Sequence, residues 1–301
     1  MNIEYYAAIG AMICIYAILA VSLNIVTGFT GLLNLGHAAF FAMGAYTSAF
    51  LGLLGVPFWI SMILGGFVSC FFGFLIGGTS LRLRGDYLAI ATLGFGEIIR
   101  IILKNWNSLT RGPLGLVNIP RPHFFGFMIQ KEYQYFLLYF FIAAICILIM
   151  IKIVHSPFGR VLRSIREDEL ATASLGKNVF RYKVQALMIG SFFAGIAGSM
   201  FSHKITYIEP SSFGFLESVL ILCMIVRGGL GSIRGSIIGA GLLIIFPEIF
   251  KFIVQHWIPV STEIEAGIKL MLYGILLVIL MLYKPDGLFG EKKHAATEIH
   301  S

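Results

Sequence analysis

The sequence predicts an all-α fold, a polytopic transmembrane helical bundle of about nine spans. Three observations carry that prediction. No Lys, Arg, Asp or Glu occurs from Tyr5 to Leu81, a stretch filled with Phe, Leu, Ile, Ala and Gly. A spanning helix takes about 20 apolar residues, so this stretch alone has room for three. The 301-residue chain is 58% hydrophobic and only 12% charged, with a mean hydropathy of +0.88. Its net charge of +7 is concentrated in a few short segments, as in loops on the cytoplasmic face of a membrane. Nucleic acid is therefore not expected as a partner.

The apolar runs place spans at 5–27, 33–54, 57–80, 87–103, 134–151, 184–203, 213–226, 236–254 and 266–283. The first is expected to be a span and not a cleaved signal. Its leading residues include Glu4 and no base, whereas a signal peptide opens with a positive region. The runs 87–103 and 213–226 are short, which suggests tilted or broken elements. Loop 152–183 carries Lys152, Arg160, Arg163, Arg166, Lys177, Arg181 and Lys183 against Glu167, Asp168 and Glu169. That excess places it in the cytoplasm. Counting outward puts Arg82, Arg84, Arg227, Arg234 and the tail inside, and the N-terminus outside. The same count puts loop 104–133 outside, and Arg111, Gly112 and Pro113 mark a turn there. The chain reads as one transmembrane domain over 1–290, with a cytoplasmic loop at 152–183 and a polar tail at 291–301. Cys14, Cys70, Cys146 and Cys223 all lie in apolar runs and read as small buried hydrophobes. No metal site or cofactor is expected.

Three passages interrupt the smooth apolar helices. In GFTGLLNLGHAAFFAMGAY, glycines surround Asn34 and His37 between the first two spans. Glycine tolerates an interrupted helix, whose exposed backbone must face protein or a water-filled path. Asn34 and His37 either line a translocation route or hydrogen-bond between helices. In the second passage Glu97 precedes Arg100 by one helical turn, on the same face. A charge at the bilayer centre costs roughly 2.5–3.5 kcal/mol, so mutual pairing near an interface is expected, with a substrate or gating role as the alternative. Thr92, Gly94 and Gly96 give this helix a close-packing face. Third, VRGGLGSIRGSIIGAG places Gly231, Gly235 and Gly239 four residues apart, as a helix face that draws a partner close.

Loop 152–183 reads as a short amphipathic helix and turn. Pro157 and Gly159 open it, and Leu162, Ile165, Leu170 and Leu175 supply apolar positions. Gly176 is a C-terminal stop. So short a loop cannot hold its own core. Lipid could cover it, but Glu167, Asp168 and Glu169 would be repelled by anionic headgroups, so a cytosolic protein partner fits better.

Taken together, LNLGHAAFFAMGAY, LRLRGDYLAIATLGFGEIIRI, EDELATASLG with NVFRYK, FFAGIAGSMF, RGGLGSIRGSIIGA and YKPDGLFG resemble one family. It is the inner-membrane permease subunit of bacterial ABC importers for branched-chain amino acids, of the LivM kind. The resemblance covers nearly the whole chain. It implies that 167–176 forms a coupling helix seated in a groove of an ATP-hydrolysing subunit, through Arg166, Glu167, Glu169, Ala171, Leu175 and Gly176. The family's Glu-Ala-Ala…Gly pattern is kept loosely: Glu169 stands seven residues before Gly176, not six, and Leu170 replaces the first Ala. The implied partners are a second related permease, two ATP-binding subunits, a periplasmic substrate-binding protein and membrane lipid. The chain itself has no Gly-x-x-x-x-Gly-Lys-Ser/Thr loop, so hydrolysis must occur on separate subunits and the chain is not an enzyme. An ion-coupled secondary transporter, using Glu97, Glu217 or Glu248, and a passive channel component are the competing readings.

Overall fold

The computed structural model describes residues 3–80, 86–124 and 127–257. Its helices are, in order, α1 (Ile3–Thr30), α2 (His37–Leu53), α3 (Phe58–Ser80), α4 (Asp86–Asn105), α5 (Asn107–Thr110), α6 (Glu132–His155), α7 (Pro157–Glu167), α8 (Glu169–Ser174), α9 (Val179–Ile205), α10 (Phe215–Gly228) and α11 (Ile233–Trp257). Two antiparallel pairs of two-residue strands complete it. These are β1 (Leu116–Val117) with β4 (Tyr207–Ile208), and β2 (His123–Phe124) with β3 (Phe127–Met128). Among the described residues, α1, α3, α6 and α9 are each long and apolar enough to cross a membrane. The run 266–283, the cations Arg82 and Arg84, and the tail lie outside the described residues.

Helix α1 is the axis of the bundle. It is apolar on all sides, and every residue from Ala17 to Thr30 is buried, because α6, α9, α10 and α11 surround it. Such a helix belongs to an interior and not to a surface. Helices α3 and α6 are equally apolar but turn Phe67, Phe71, Phe74, Leu137, Phe140 and Phe141 outward, as lipid-facing helices do.

Apolar burial contributes little between helices already in lipid, so small residues and hydroxyls hold them together. A Cβ on Gly44 of α2 would stand 2.2 Å from the Gly195 carbonyl oxygen of α9. One on Gly73 of α3 would stand 2.1 Å from Ser191 Oγ of α9. Ser69 Oγ donates to the Phe40 carbonyl at 2.9 Å, joining α3 to α2. The seam of α2, α3 and α9 is thus built from Gly and Ser on all three helices.

The bundle has two distinct ends. At one, the backbone N–H of Glu132 donates to Glu4 Oε2 (3.0 Å), and Lys204 pairs with Glu132 (2.6 Å). His203 Nδ1 donates to the Pro120 carbonyl at 2.7 Å, so the 104–131 segment sits here too. The C-terminus of α1, helices α7 and α8, and the α10–α11 turn occupy the other end.

Several expectations from the sequence need correction. Residues 33–36 are not helical, because the chain folds back there before α2 begins. Among the described residues no atom lies within 4 Å of a Cβ on Gly94, whereas Gly96 approaches the Gly36 Cα, 3.5 Å from where its Cβ would be. Gly231 lies in the α10–α11 turn with φ +85°, not on the helix face that Gly235 and Gly239 share. The expected helix over 167–176 is broken at Asp168. Glu167 ends α7, and Asp168 caps α8 by accepting from the Ala171 N–H at 2.9 Å. Asp168 competes with the helix for backbone bonds, which is why it starts a helix and does not continue one.

Candidate functional site

Two polar places stand out in this apolar chain. The first is the break between α1 and α2. Thr30 ends α1, yet His37, which opens α2, lies beside Ser22, with His37 Nε2 and Ser22 Oγ 2.9 Å apart. Eight residues of helix separate Ser22 from Thr30, about 12 Å of axial rise. Segment 31–36 therefore re-enters the bundle, and α2 starts well inside it. Ser22 Oγ donates to the Leu19 carbonyl at 2.8 Å. This network assigns the proton to His37 Nε2 and leaves Nδ1 buried without a partner among the described residues.

The re-entrant segment is tied to α4 and α10. The Leu35 N–H donates to Thr92 Oγ1 at 3.1 Å, and Thr92 Oγ1 donates to the Ala89 carbonyl at 2.9 Å. Asn34 Oδ1 accepts from the Gly36 N–H at 2.9 Å, while its buried Nδ2 has no partner among the described residues. The Ala38 N–H donates to Ser218 Oγ of α10 at 3.0 Å. Asn34, His37 and Thr92 thus gather at one break and are all buried.

Glu97 is elsewhere on α4, paired with Arg100 at 2.6 Å and half-exposed, as its spacing implied. Of the other carboxylates in the helices, Glu248 accepts from the Tyr5 hydroxyl at 2.5 Å. Glu217 hydrogen-bonds with Tyr16 and keeps Oε1 buried without a partner among the described residues.

The second place is the end that carries α7 and α8. Leu162 and Ile165 of α7 are buried against the bundle, and Phe158 stacks on Tyr182 of α9 with centroids 5.6 Å apart. Helix α8 is held by an ion pair between Glu169 and Lys183 of α9, 2.6 Å long. Ala171, Leu175 and Gly176 are exposed. Gly176 ends the helix at φ +78°, a left-handed turn that suits glycine.

Arg166, at the end of α7, reaches the other way. Its Nη1 donates to the Gly28 carbonyl of α1 at 2.7 Å. A Cβ on Gly231 would stand 2.7 Å from that same nitrogen. The two glycine-rich passages of the sequence therefore meet, with Arg166 against both.

Asn24, which sequence reasoning passed over, makes that junction. Its Nδ2 donates to the Ser232 carbonyl (3.0 Å) and Ser236 Oγ (2.7 Å), and its Oδ1 accepts from the Gly231 N–H (2.9 Å). An Asn inside an apolar span was the available signal. Beyond the junction α10 and α11 touch backbone to backbone, and a Cβ on Gly235 would stand 1.9 Å from the Gly228 carbonyl oxygen.

Comparison with known proteins agrees with this architecture. The chain is 36% identical to the high-affinity branched-chain amino acid transport system permease protein LivM of Escherichia coli, over 93% of this chain and 69% of that protein. The LivM protein of Salmonella typhimurium matches with the same identity and coverage. LivH of Escherichia coli is 26% identical over 91% of each chain. Among solved structures, PsaBC from Streptococcus pneumoniae in complex with Fab shares the fold, with a TM-score of 0.50 over 95% of this chain and 94% of that one at 15% identity. Residues 5–281 match the family described as branched-chain amino acid transport system, permease component, and the chain belongs to that family.

Proposed function

We propose that this chain works as one of two related permeases in an ATP-driven importer, crossing the bacterial inner membrane nine times with its N-terminus outside and C-terminus in the cytoplasm. As the transmembrane permease of a branched-chain amino acid ABC importer it performs no hydrolysis itself. Eight helices, α1–α4, α6 and α9–α11, alternate between the two ends of the bundle, and the apolar run 266–283 supplies a ninth span. The basic cluster from Arg160 to Lys183 lies at the α7–α8 end, which supports assigning that end to the cytoplasm. In this reading 1–290 is a single transmembrane domain and 291–301 a polar cytoplasmic tail.

One observation carries the coupling role. Leu170 and Leu175 are 69% and 80% exposed on a segment anchored to the bundle on its other side. With Ala171 and Gly176 they form a small apolar surface that a cytosolic ATPase subunit would cover, two such subunits serving the two permeases. The opposite end, built from 104–131 and 205–214, would receive a periplasmic substrate-binding protein that delivers a branched-chain or other neutral aliphatic amino acid. Asn34, His37 and Thr92 would act where the helices rearrange around the α1–α2 break, Glu97 with Arg100 further along α4, Gly231 in the α10–α11 turn and Gly235 in close packing.

Leu175→Cys tests the docking. Cys14, Cys146 and Cys223 are buried but Cys70 is partly exposed, so with Cys70→Ser in the background a bifunctional thiol reagent acts chiefly at the new residue. Crosslinking to an ATPase subunit in membranes is the expected result, with uptake of labelled leucine, isoleucine or valine dependent on ATP. An introduced thiol that reacts only with lipid-borne reagent, or uptake that follows an ion gradient without ATP, would overturn the proposal.

A further inference from the structure

The C-terminus of α1 is completed by a side chain from another element. The last carbonyls of a helix lack intrahelical partners and carry the negative end of its dipole, so a nearby cation stabilises them. Helix α1 has no basic residue in its last turn. Thr27's carbonyl is taken by the Gly31 N–H at 3.1 Å. Gly28's carbonyl is taken by Arg166 Nη1 at 2.7 Å, from a helix 138 residues further along the chain.

The space around that guanidinium exists only because side chains are absent. A Cβ on Gly231 would lie 2.7 Å from Arg166 Nη1, and one on Gly31 would lie 3.5 Å from Arg166 Cγ. Gly231 itself is fixed by the Asn24 side chain through its N–H at 2.9 Å. Asn24 also grips Ser232 and Ser236 at the start of α11. One side chain of α7 thus bears on α1 and on the α10–α11 turn together. A second cation of α7, Arg163, lies over the Phe29 ring at 5.3 Å, at the same end of α1.

We infer that Arg166 is the positioning residue through which displacement of α7 and α8 reaches α1, α10 and α11, serving as a tie into the bundle and not as a contact of the ATPase subunit. The inference rests on the docking role proposed for α8. The tie pulls and pushes at a backbone carbonyl, which a rigid helix passes on as a whole-body movement. Helix α9 is joined to α7 and α8 separately, by the Phe158–Tyr182 stack and the Glu169–Lys183 pair, so Arg166 supplies the route into α1 and the α10–α11 turn.

The test uses the complete complex in proteoliposomes: both permeases, the ATPase pair and the substrate-binding protein. Three quantities are read, namely ATPase-subunit recovery on purification, ATP hydrolysis, and labelled amino acid imported per ATP. Arg166→Gln is expected to keep recovery and hydrolysis near wild type while import per ATP falls about tenfold, within the range of ordinary coupling energies. Arg166→Lys keeps the charge but not the guanidinium geometry, and should fall in between. It also serves if Arg166→Gln fails to reach the membrane. Arg160→Gln, six residues earlier on α7, should match wild type in all three.

Wild-type import per ATP in both Arg166 variants would overturn the inference. So would loss of the ATPase subunits from Arg166→Gln, which would place Arg166 in the docking surface. Failure of the underlying docking role has a different signature. In that case Leu175→Asp would retain its ATPase subunits and its uptake.

Discussion

Lys183 Nζ and Glu169 Oε2 lie 2.6 Å apart, and the lysine side chain is almost fully buried while the glutamate is partly exposed. The glutamate that the family pattern sets beside the ATPase is therefore engaged within its own chain, where it holds α8 on α9. Removing one partner of a buried pair leaves the other charge uncompensated, which costs more than replacing both. Glu169→Ala should lower stability by about 1 kcal/mol, since the exposed glutamate is well screened. Glu169→Gln with Lys183→Met should recover most of it. Thermal unfolding in detergent of Glu169→Ala, of Lys183→Met alone and of the double variant checks this. Equal losses in all three would show that the pair does not anchor α8.

Gly235 is a packing residue in the strict sense. Its missing side chain lets the Gly228 carbonyl approach, and a leucine there would have to force α10 from α11. Overpacking of this kind costs about 1–3 kcal/mol, occasionally more. Gly235→Leu should reduce the amount of folded permease in membranes and its recovery with the second permease. Gly241→Leu on the same helix meets no atom of the described residues within 4 Å of its Cβ position and should assemble better than Gly235→Leu. Equal assembly of the two variants would refute the packing role.

Asn24→Leu removes three hydrogen bonds at once. Ser236 Oγ can still donate to the Ser232 carbonyl at 3.1 Å, but the Gly231 N–H is left unpaired. A fully buried unsatisfied group costs about 1–3 kcal/mol; Gly231 is half-buried, so a loss near the lower end and a modestly lower melting temperature are expected. Asn24→Asp keeps the Gly231 bond but loses both donors, so it too should be destabilised. A melting curve identical to wild type for the leucine variant would show the junction to be incidental.

Gly176→Arg and Leu175→Asp should leave the chain folded in the membrane while weakening recovery of the ATPase subunits. Leu175 is exposed, and exposed substitutions usually change stability by less than about 0.5 kcal/mol. At Gly176 no atom of the described residues lies within 4 Å of a new Cβ, but the positive φ adds strain of about 1 kcal/mol. Normal co-purification and unchanged uptake in both variants would reject α8 as the docking element.

Much of the architecture could be read from residue types. The charge-free stretch Tyr5–Leu81 and the basic loop 152–183 already implied a membrane bundle with one cationic end. The pairing of Glu97 with Arg100 followed from helical spacing. Asn24 was missed because a lone polar residue in an apolar run has no periodic signal of its own. Its partners Gly231, Ser232 and Ser236 are more than 200 positions away in the chain.

Composition by itself determined that this chain lives in lipid, because hydropathy is summed over residues and needs no knowledge of neighbours. Motif order determined its family in the same local way. Only the tertiary structure decided that α1 is enclosed, that α2 starts inside the bundle, and that Arg166 reaches the Gly28 carbonyl. Those outcomes depend on which distant backbones can come close. That is set by missing side chains on two facing helices at once, and a linear sequence does not show which glycine meets which carbonyl.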